Sequence, residues 1–296
     1  RHKPLRQLFA EIPAFVQALK PCFLMSPISV ASYLVPDRMR FDVLLFDEAS
    51  QIMPEDAIGS ILRTPQVIVV GDTKQLPPTR FFATLEGDDW EDDGLQGEAP
   101  LDSIMEEALA AGLRSKDLLW HYRSRDESLI AFSNREFYNN RLITFPSAGT
   151  QSRPMGLEFV YLPDGVYDRG GSRTNRREAQ RVAELVHQHY EETPERSLGI
   201  VAFSLPQADA IDAAVEMLRQ KDPGFDEWCN SEGPEPFFVK NLENVQGDER
   251  DVMFFSVGYG PDERGQITMN FGPLNQEGGP RRLNVAVTRA KEHVKL

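Results

Sequence analysis

Three features of this 296-residue chain predict an α/β fold built on two parallel sheets. Short apolar runs rich in β-branched residues alternate with stretches whose apolar residues recur at helical spacing, the pattern of strands joined by crossover helices. Two of the runs, Val43 to Phe46 and Val67 to Val70, have the length of strands buried on both faces of a parallel sheet. Each ends directly in polar residues, Asp47-Glu48 after the first and Gly71-Asp72-Thr73-Lys74-Gln75 after the second.

Ligands of open α/β sheets sit beyond the carboxyl ends of the strands, so Asp47, Glu48, Asp72 and Gln75 are expected along one edge. A carboxylate there suits Mg2+, an ion that takes a few carboxylates and completes its shell with water and phosphate oxygens. Asp47 is the candidate for the metal. Glu48 can accept a proton from an attacking water, and the Gln75 amide can orient that water. A solvated turn would also explain the Asp-Glu pair taken alone. The second strand, with its own polar terminus, weighs against it.

The length allows about two domains, and the lengths of the alternating elements place the boundary between Pro146 and Gly156, giving 1–150 and 151–296. An apolar share of 41% and a charged share of 26% are those of a globular chain. The formal charge of −14 argues against binding nucleic acid by bulk electrostatics, and leaves room for a narrow basic groove. Seven acids fall between Glu86 and Glu98, read as a solvated loop. Cys22 and Cys229 lie far apart without metal-ligand spacing, which fits a reduced cytoplasmic setting and supports neither a disulfide nor a zinc site. No apolar run has the length of a membrane span.

Taken in order, Leu5 to Leu19 reads as a helix ended by Lys20-Pro21, and Cys22 to Met25 as a strand. Ser26 reads as the cap of a following helix. Pro54 to Leu62 is a helix with proline in its first turn, Leu101 to Ala111 another, and Glu127 to Tyr138 a helix that packs on a sheet. Leu157 to Leu162 is a strand. The loop Asp168 to Arg177 holds two glycines and four arginines. Asn175-Arg-Arg-Glu178 reads as a capping box opening the helix Ala179 to Tyr190. Leu198 to Phe203, Phe237 to Lys240 and Val252 to Val257 are strands, and Gln207 to Gln220 is a helix.

Three further clusters can complete a nucleotide site. Tyr122-Arg123 offers an aromatic face for a base and a guanidinium for phosphate. Val245-Gln-Gly-Asp-Glu-Arg-Asp251 puts Gly, Asp and Glu at the mouth of a strand. Arg281 to Lys291 places Arg289 on an expected helix, where an arginine can neutralise charge developing on a transferred phosphoryl group. Singly each is a common surface feature; in this order they are specific.

Together these segments resemble the motif set of a superfamily 1 helicase, in the 5′-to-3′ branch that includes the nonsense-mediated-decay helicase and its bacterial relatives. Asp47-Glu-Ala-Ser-Gln51 matches motif II, Gly71-Asp-Thr-Lys-Gln-Leu-Pro-Pro78 motif III, and His121-Tyr-Arg-Ser-Arg125 resembles motif IV. Val245 to Glu249 resembles motif V, and Leu283 to Lys291 motif VI. The resemblance implies two RecA-like domains of the P-loop NTPase class, the first incomplete, with ATP in the cleft between them and Mg2+ on Asp47. It implies Glu48 as general base, Gln75 as γ-phosphate sensor and Arg123 and Arg289 as arginine fingers. Gly247 is implied near the γ-phosphate, Glu249 near the ribose and Tyr122 as a stack on adenine. Glu243 stands where the family often has Asp, and Lys291 where it often has Arg.

No Gly-x-x-x-x-Gly-Lys-Ser/Thr occurs in the 296 residues, so the phosphate-cradling loop and its lysine are missing. The expectation is a piece of a longer polypeptide that carries this loop elsewhere, with a further strand expected beyond Leu296. The implied function is an ATP-dependent helicase or translocase acting on single-stranded nucleic acid, DNA favoured over RNA by analogy with bacterial relatives. A non-catalytic nucleic-acid-binding or scaffold protein is the alternative from another class, and an ATPase acting on proteins a further one. Retention of Asp47, Glu48, Gln75 and Arg289 argues against a degenerate site.

Overall fold

The computed structural model describes residues 3–78, 103–147, 154–276 and 278–296, which leaves the acidic run between Glu86 and Glu98 outside the described residues. The fold is α/β, with every paired strand parallel to its neighbour. The chain forms two compact units, 1–116 and 117–296. The helix after motif IV lies in the second unit and packs on its sheet.

In unit 1 the expected first helix is two, α1 (Leu5–Glu11) and α2 (Pro13–Leu19). Pro13 has no N–H to donate and restricts Ile12, which leaves the helical region at φ −132°, ψ 50°. Helix α3 (Pro27–Tyr33) follows, capped by the Ser26 hydroxyl accepting from Ser29 N–H at 3.2 Å. Cys22 to Met25 is not a strand: no strand pairs with it among the described residues, and Leu24 is 95% exposed.

Strand β1 (Leu44–Phe46) pairs in parallel with β2 (Val67–Val69), joined through α4 (Pro54–Ile61). One face is buried, where Phe46, Ala49 and Ala57 pack with Ile61, Val67 and Val69 and with Ile104 and Met105 around α5 (Ile104–Ala110). On the other face Leu45 is 57% and Ile68 41% exposed. The expectation of burial on both faces is corrected, since helices cover a single side of this pair among the described residues.

Unit 2 opens with α6 (Ser128–Phe137) and holds a five-stranded parallel sheet, whose strands are β3 (Gly156–Glu158), β4 (Leu198–Ala202), β5 (Phe238–Asn241), β6 (Arg250–Ser256) and β7 (Ala290–Lys295). Their order across the sheet is β3-β7-β6-β4-β5. Helices α7 (Arg176–Glu192), α8 (Leu205–Arg219) and α9 (Pro223–Cys229) join them, with α10 (Gly279–Val287) before β7. One apolar layer packs Leu198, Ile200, Val252 and Phe254 of the sheet against Val182, Val186, Ile211, Val215 and Phe225 of the helices. Helix α6 packs on β7, β3 and α10.

The strand expected beyond Leu296 is β7, already inside the chain and hydrogen-bonded on both sides, to β3 and β6. Its residues Lys291, Glu292 and His293 are polar, so the run lacks the apolar signal of a buried strand, and they are accommodated in the sheet because each finds a charged partner. Helix α9 carries no amphipathic pattern long enough to see in sequence and is held by its cap: Asp222 accepts from Gly224 and Phe225 N–H. Among the described residues no helix is long and apolar enough to cross a membrane.

Candidate nucleotide and nucleic-acid sites

In unit 1 the carboxyl ends of β1 and β2 bring the motif II and motif III segments together. Val70 N–H donates to Phe46 O at 2.8 Å and Ala49 N–H to Val70 O at 2.9 Å, closing the two turns on each other. Gly71 permits this approach, because a Cβ there would lie 3.0 Å from Ala49 N, Ser50 N and Met105 Sδ. Glu48 adopts a left-handed conformation at φ 52°, a costly one for a residue with a side chain and one that recurs at functional turns.

That turn presents both carboxylates to solvent. Glu48 N–H donates to Asp47 Oδ1 at 3.0 Å, and Gln51 Nε2 approaches Glu48 Oε2 at 3.4 Å. Across the edge, Asp72 organises its own turn: one carboxylate oxygen accepts from Lys74 N–H at 2.8 Å and the other from Gln75 Nε2 at 3.1 Å. Asp47, Glu48, Asp72 and Gln75 thus share the carboxyl edge of the β1–β2 pair. Among the described residues no group of three or more His, Cys, Asp or Glu could hold a metal.

Unit 2 gathers motifs IV, V and VI around one carboxylate. Arg123 Nε donates to Glu249 Oε2 at 2.8 Å, and its Nη1 approaches Thr288 O at 3.4 Å. Lys291 lies 3.3 Å from Glu249 Oε1 and is also paired with Glu235. Burial acts to raise the Glu249 pKa, but the hydrogen bond and charge of Arg123, joined by Lys291, outweigh it and hold the carboxyl below its ordinary value. Lys291 is raised: burial opposes its charge, and the bonds from Glu235 and Glu249 prevail. His121 stands beside this set, its Nε2 accepting from Ser124 N–H at 3.2 Å. Burial, and then the charge of Arg123, push its pKa from 6.5 to about 4.

The remaining residues differ in their settings. Tyr122 is 84% exposed, its ring open to solvent. Gly247 sits at φ +87° with open space around it, a conformation that only glycine adopts freely. Arg289 is not on a helix, since α10 ends at Val287. Its side chain is 4% exposed and folded onto that helix end, Nε donating to Val285 O at 2.8 Å and Nη2 to Thr288 Oγ1 at 3.0 Å.

Sequence reasoning missed a second site in this unit, a cleft of about 460 Å³ beyond the carboxyl ends of β4, β5 and β6. Here the chain passes from β5 on one side of β4 to β6 on the other, the switch point at which parallel sheets bind ligands. Arg169, Arg173, Ser204, Asn241, Tyr259 and Asn270 are among its lining residues. Arg173 adopts φ 54° in a turn built by Asp168, whose carboxylate accepts from Gly171 N–H and Ser172 N–H, at 3.1 and 2.7 Å. The Arg173 N–H donates to Asp168 O at 2.9 Å, while its guanidinium has no hydrogen-bond or ionic partner among the described residues. Tyr259 packs on Tyr167 and Phe271, and Gly272 at φ +55° leaves room for its hydroxyl. The legible signal was the four-arginine loop between Asp168 and Arg177; the strand ends it faces are set by topology.

The model of the AAA domain family AAA_12 matches residues 101–296, more than half of the chain. An uncharacterized ATP-dependent helicase of Mycoplasma genitalium, MG140, is 36% identical over 293 residues, covering 95% of this chain and 25% of that protein. The probable helicase MAGATAMA 3 of Arabidopsis thaliana is 29% identical over 280 residues, covering 90% and 31%. The DNA-binding protein SMUBP-2 of Mesocricetus auratus is 24% identical over 282 residues, covering 88% and 25%. The chain spans about a quarter to a third of the length of these curated relatives. With motifs II to VI in order and the family model covering its larger part, the chain belongs to the AAA domain family, within the superfamily 1 helicases.

Proposed function

We propose that this chain is the motor portion, less its phosphate loop, of an ATP-dependent helicase or translocase that moves along single-stranded nucleic acid. The observation that carries the reading is the bonded set of Arg123, Glu249 and Lys291: three segments distant in sequence, each matching a different helicase motif, converge on one carboxylate. In this reading residues 1–150 are the later part of a first RecA-like domain and 151–296 a second. The Gly-rich phosphate loop belongs to another part of a longer cytoplasmic polypeptide.

Each residue then has a task. Asp47 holds Mg2+ together with phosphate oxygens and water. Glu48 takes the proton of the attacking water, and Gln75 senses the γ-phosphate and orients that water. Arg123 and Arg289 neutralise charge on the transferred phosphoryl group. Gly247 lies near the γ-phosphate, Glu249 near the ribose, and Tyr122 stacks on adenine. The cleft above β4, β5 and β6 takes the strand itself, Arg173 meeting a phosphate and Tyr259 offering a ring for a base. DNA is the favoured strand, supported by the DNA-binding name of SMUBP-2.

The test is ATP turnover by the full-length polypeptide with single-stranded DNA, single-stranded RNA or neither. Stimulation by one of the strands, abolished by Glu48→Gln, is expected. Turnover indifferent to both strands would refute the reading and favour an ATPase that acts on proteins.

A further inference from the structure

The loops that wall the cleft are tied to one buried polar node beneath it. Gln207, in the first turn of α8, is fully buried. Its Oε1 accepts from Asn175 N–H at 2.8 Å, and its Nε2 donates to Asn175 O at 3.3 Å and Ser256 Oγ at 3.1 Å. Ser256 Oγ donates in turn to Glu178 Oε1 at 2.7 Å, and the same oxygen accepts from Gly258 N–H at 2.9 Å. The other oxygen of Glu178 accepts from Asn175 Nδ2 at 3.1 Å.

This wiring departs from the capping box that Asn175 and Glu178 suggest in sequence. The Asn175 half forms, its Oδ1 accepting from Glu178 N–H at 3.1 Å. The reciprocal half does not, because Gln207 has taken the Asn175 N–H, and Glu178 is turned toward β6. A helix cap alone would need none of the bonds to Ser256, Gly258 or Gln207. Each of those bonds instead reaches the root of a cleft wall. Asn175 ends the loop that carries Arg169 and Arg173, Gln207 follows the Ser204 turn, and Gly258 precedes Tyr259. Gly258 sits at φ +71°, where a Cβ would come within 3.1 Å of Gln207 Cγ, so node and loop are fitted to each other.

We propose that Gln207 and Glu178 are positioning residues of the cleft, holding the Arg173 loop, the Ser204 turn and the Tyr259 loop at the spacing a single-stranded phosphodiester chain requires. A carboxylate satisfied by backbone and neutral side-chain donors, with no cation in salt-bridge reach among the described residues, selects one arrangement of its donors. This rests on the reading of the cleft as a nucleic-acid site, and the experiment separates the two.

Binding of a fluorescein-labelled single-stranded oligodeoxythymidylate to the 296-residue chain is measured by anisotropy, alongside urea unfolding, for Arg173→Ala, Gln207→Met, the double variant and Glu178→Gln. Arg173→Ala removes one charged contact and is expected to weaken binding about tenfold. Gln207→Met is expected to weaken it comparably. In the double variant Arg173→Ala should then cost no more than about twofold, because the loop is already misplaced and the two losses are not additive. Glu178→Gln keeps the shape but sets a donor against a donor, and is expected to weaken binding in the same direction with less effect on folding. Equal tenfold losses from Arg173→Ala in both backgrounds would overturn the proposal, as would normal binding by both Gln207→Met and Glu178→Gln. If Arg173→Ala alone leaves binding unchanged, the cleft reading falls and takes this proposal with it.

Discussion

Arg289→Ala separates a catalytic role from a structural one, because the two have different magnitudes. The guanidinium is buried and spends two donors on its own helix end, at 2.8 Å to Val285 O and 3.0 Å to Thr288 Oγ1. Val285 O keeps a share of the Thr288 hydroxyl, which lies 2.9 Å from it and 3.0 Å from Asn284 O, so removing Arg289 does not leave it wholly without a donor. The stability cost is therefore about 2–4 kcal/mol, from two charge-assisted bonds and the space left behind. Against a typical total of about 5–15 kcal/mol the variant stays folded. Loss of an arginine finger is about a thousandfold in kcat or more, roughly 4 kcal/mol of activation free energy.

The assay is kcat of the full-length polypeptide with saturating strand, together with the urea midpoint of the same preparation. The expected pair of results is a lowered midpoint and a thousandfold loss of turnover, with strand binding in the absence of nucleotide nearly unchanged. Arg289→Lys, which keeps the charge but loses the planar fork, should recover part of the stability and little of the rate. A folded Arg289→Ala protein that turns over within a few-fold of the unaltered one would refute the finger and leave Arg289 as a clamp between α10 and β7.

Three other outcomes are expected. Glu48→Gln in the full-length polypeptide should retain ATP binding, measured with a fluorescent nucleotide, and lose turnover, because the amide keeps the shape but takes no proton; near-normal hydrolysis removes Glu48 from its role. His121 has a folded pKa depressed from 6.5 to about 4, so its contribution is complete above pH 6.5 and is lost as pH falls from 6.5 toward 4, the unfolded chain taking up the proton first. Discounted for a ring that is only partly buried, the part of the shift expressed by pH 5 amounts to about 1 kcal/mol, and urea midpoints at pH 7 and pH 5 should show a drop that His121→Gln removes. The 296 residues alone should hydrolyse no ATP even with single strands present, since they contain no Gly-rich loop to hold the triphosphate; robust turnover abolished by Glu48→Gln would show a complete site without one.

Local chemistry determined a large part of this protein. Residue type and spacing alone marked β1, β2, β4, β5 and β6, because each contains a short apolar run that reads as a strand whatever lies around it. The polar residues after β1 and β2 were placed on one edge for the same reason, since parallel strands must end on the same side. Strand β7 escaped because its charges are neutralised by residues distant in sequence, Glu158, Arg196 and Glu235, so its burial is invisible in its own composition. The kinked first helix and the uncovered face of the β1–β2 pair likewise depend on neighbours. The Arg123–Glu249–Lys291 set bridges three separate segments, and the cleft is lined by the ends of three strands whose order, β6-β4-β5, is not their order in the chain. Even the Asn175–Glu178 pair kept its local half and surrendered the other to Gln207. A local rule sees an available N–H and a nearby carboxylate; which acceptor wins is decided by the side chain that the folded sheet brings within 2.8 Å of it.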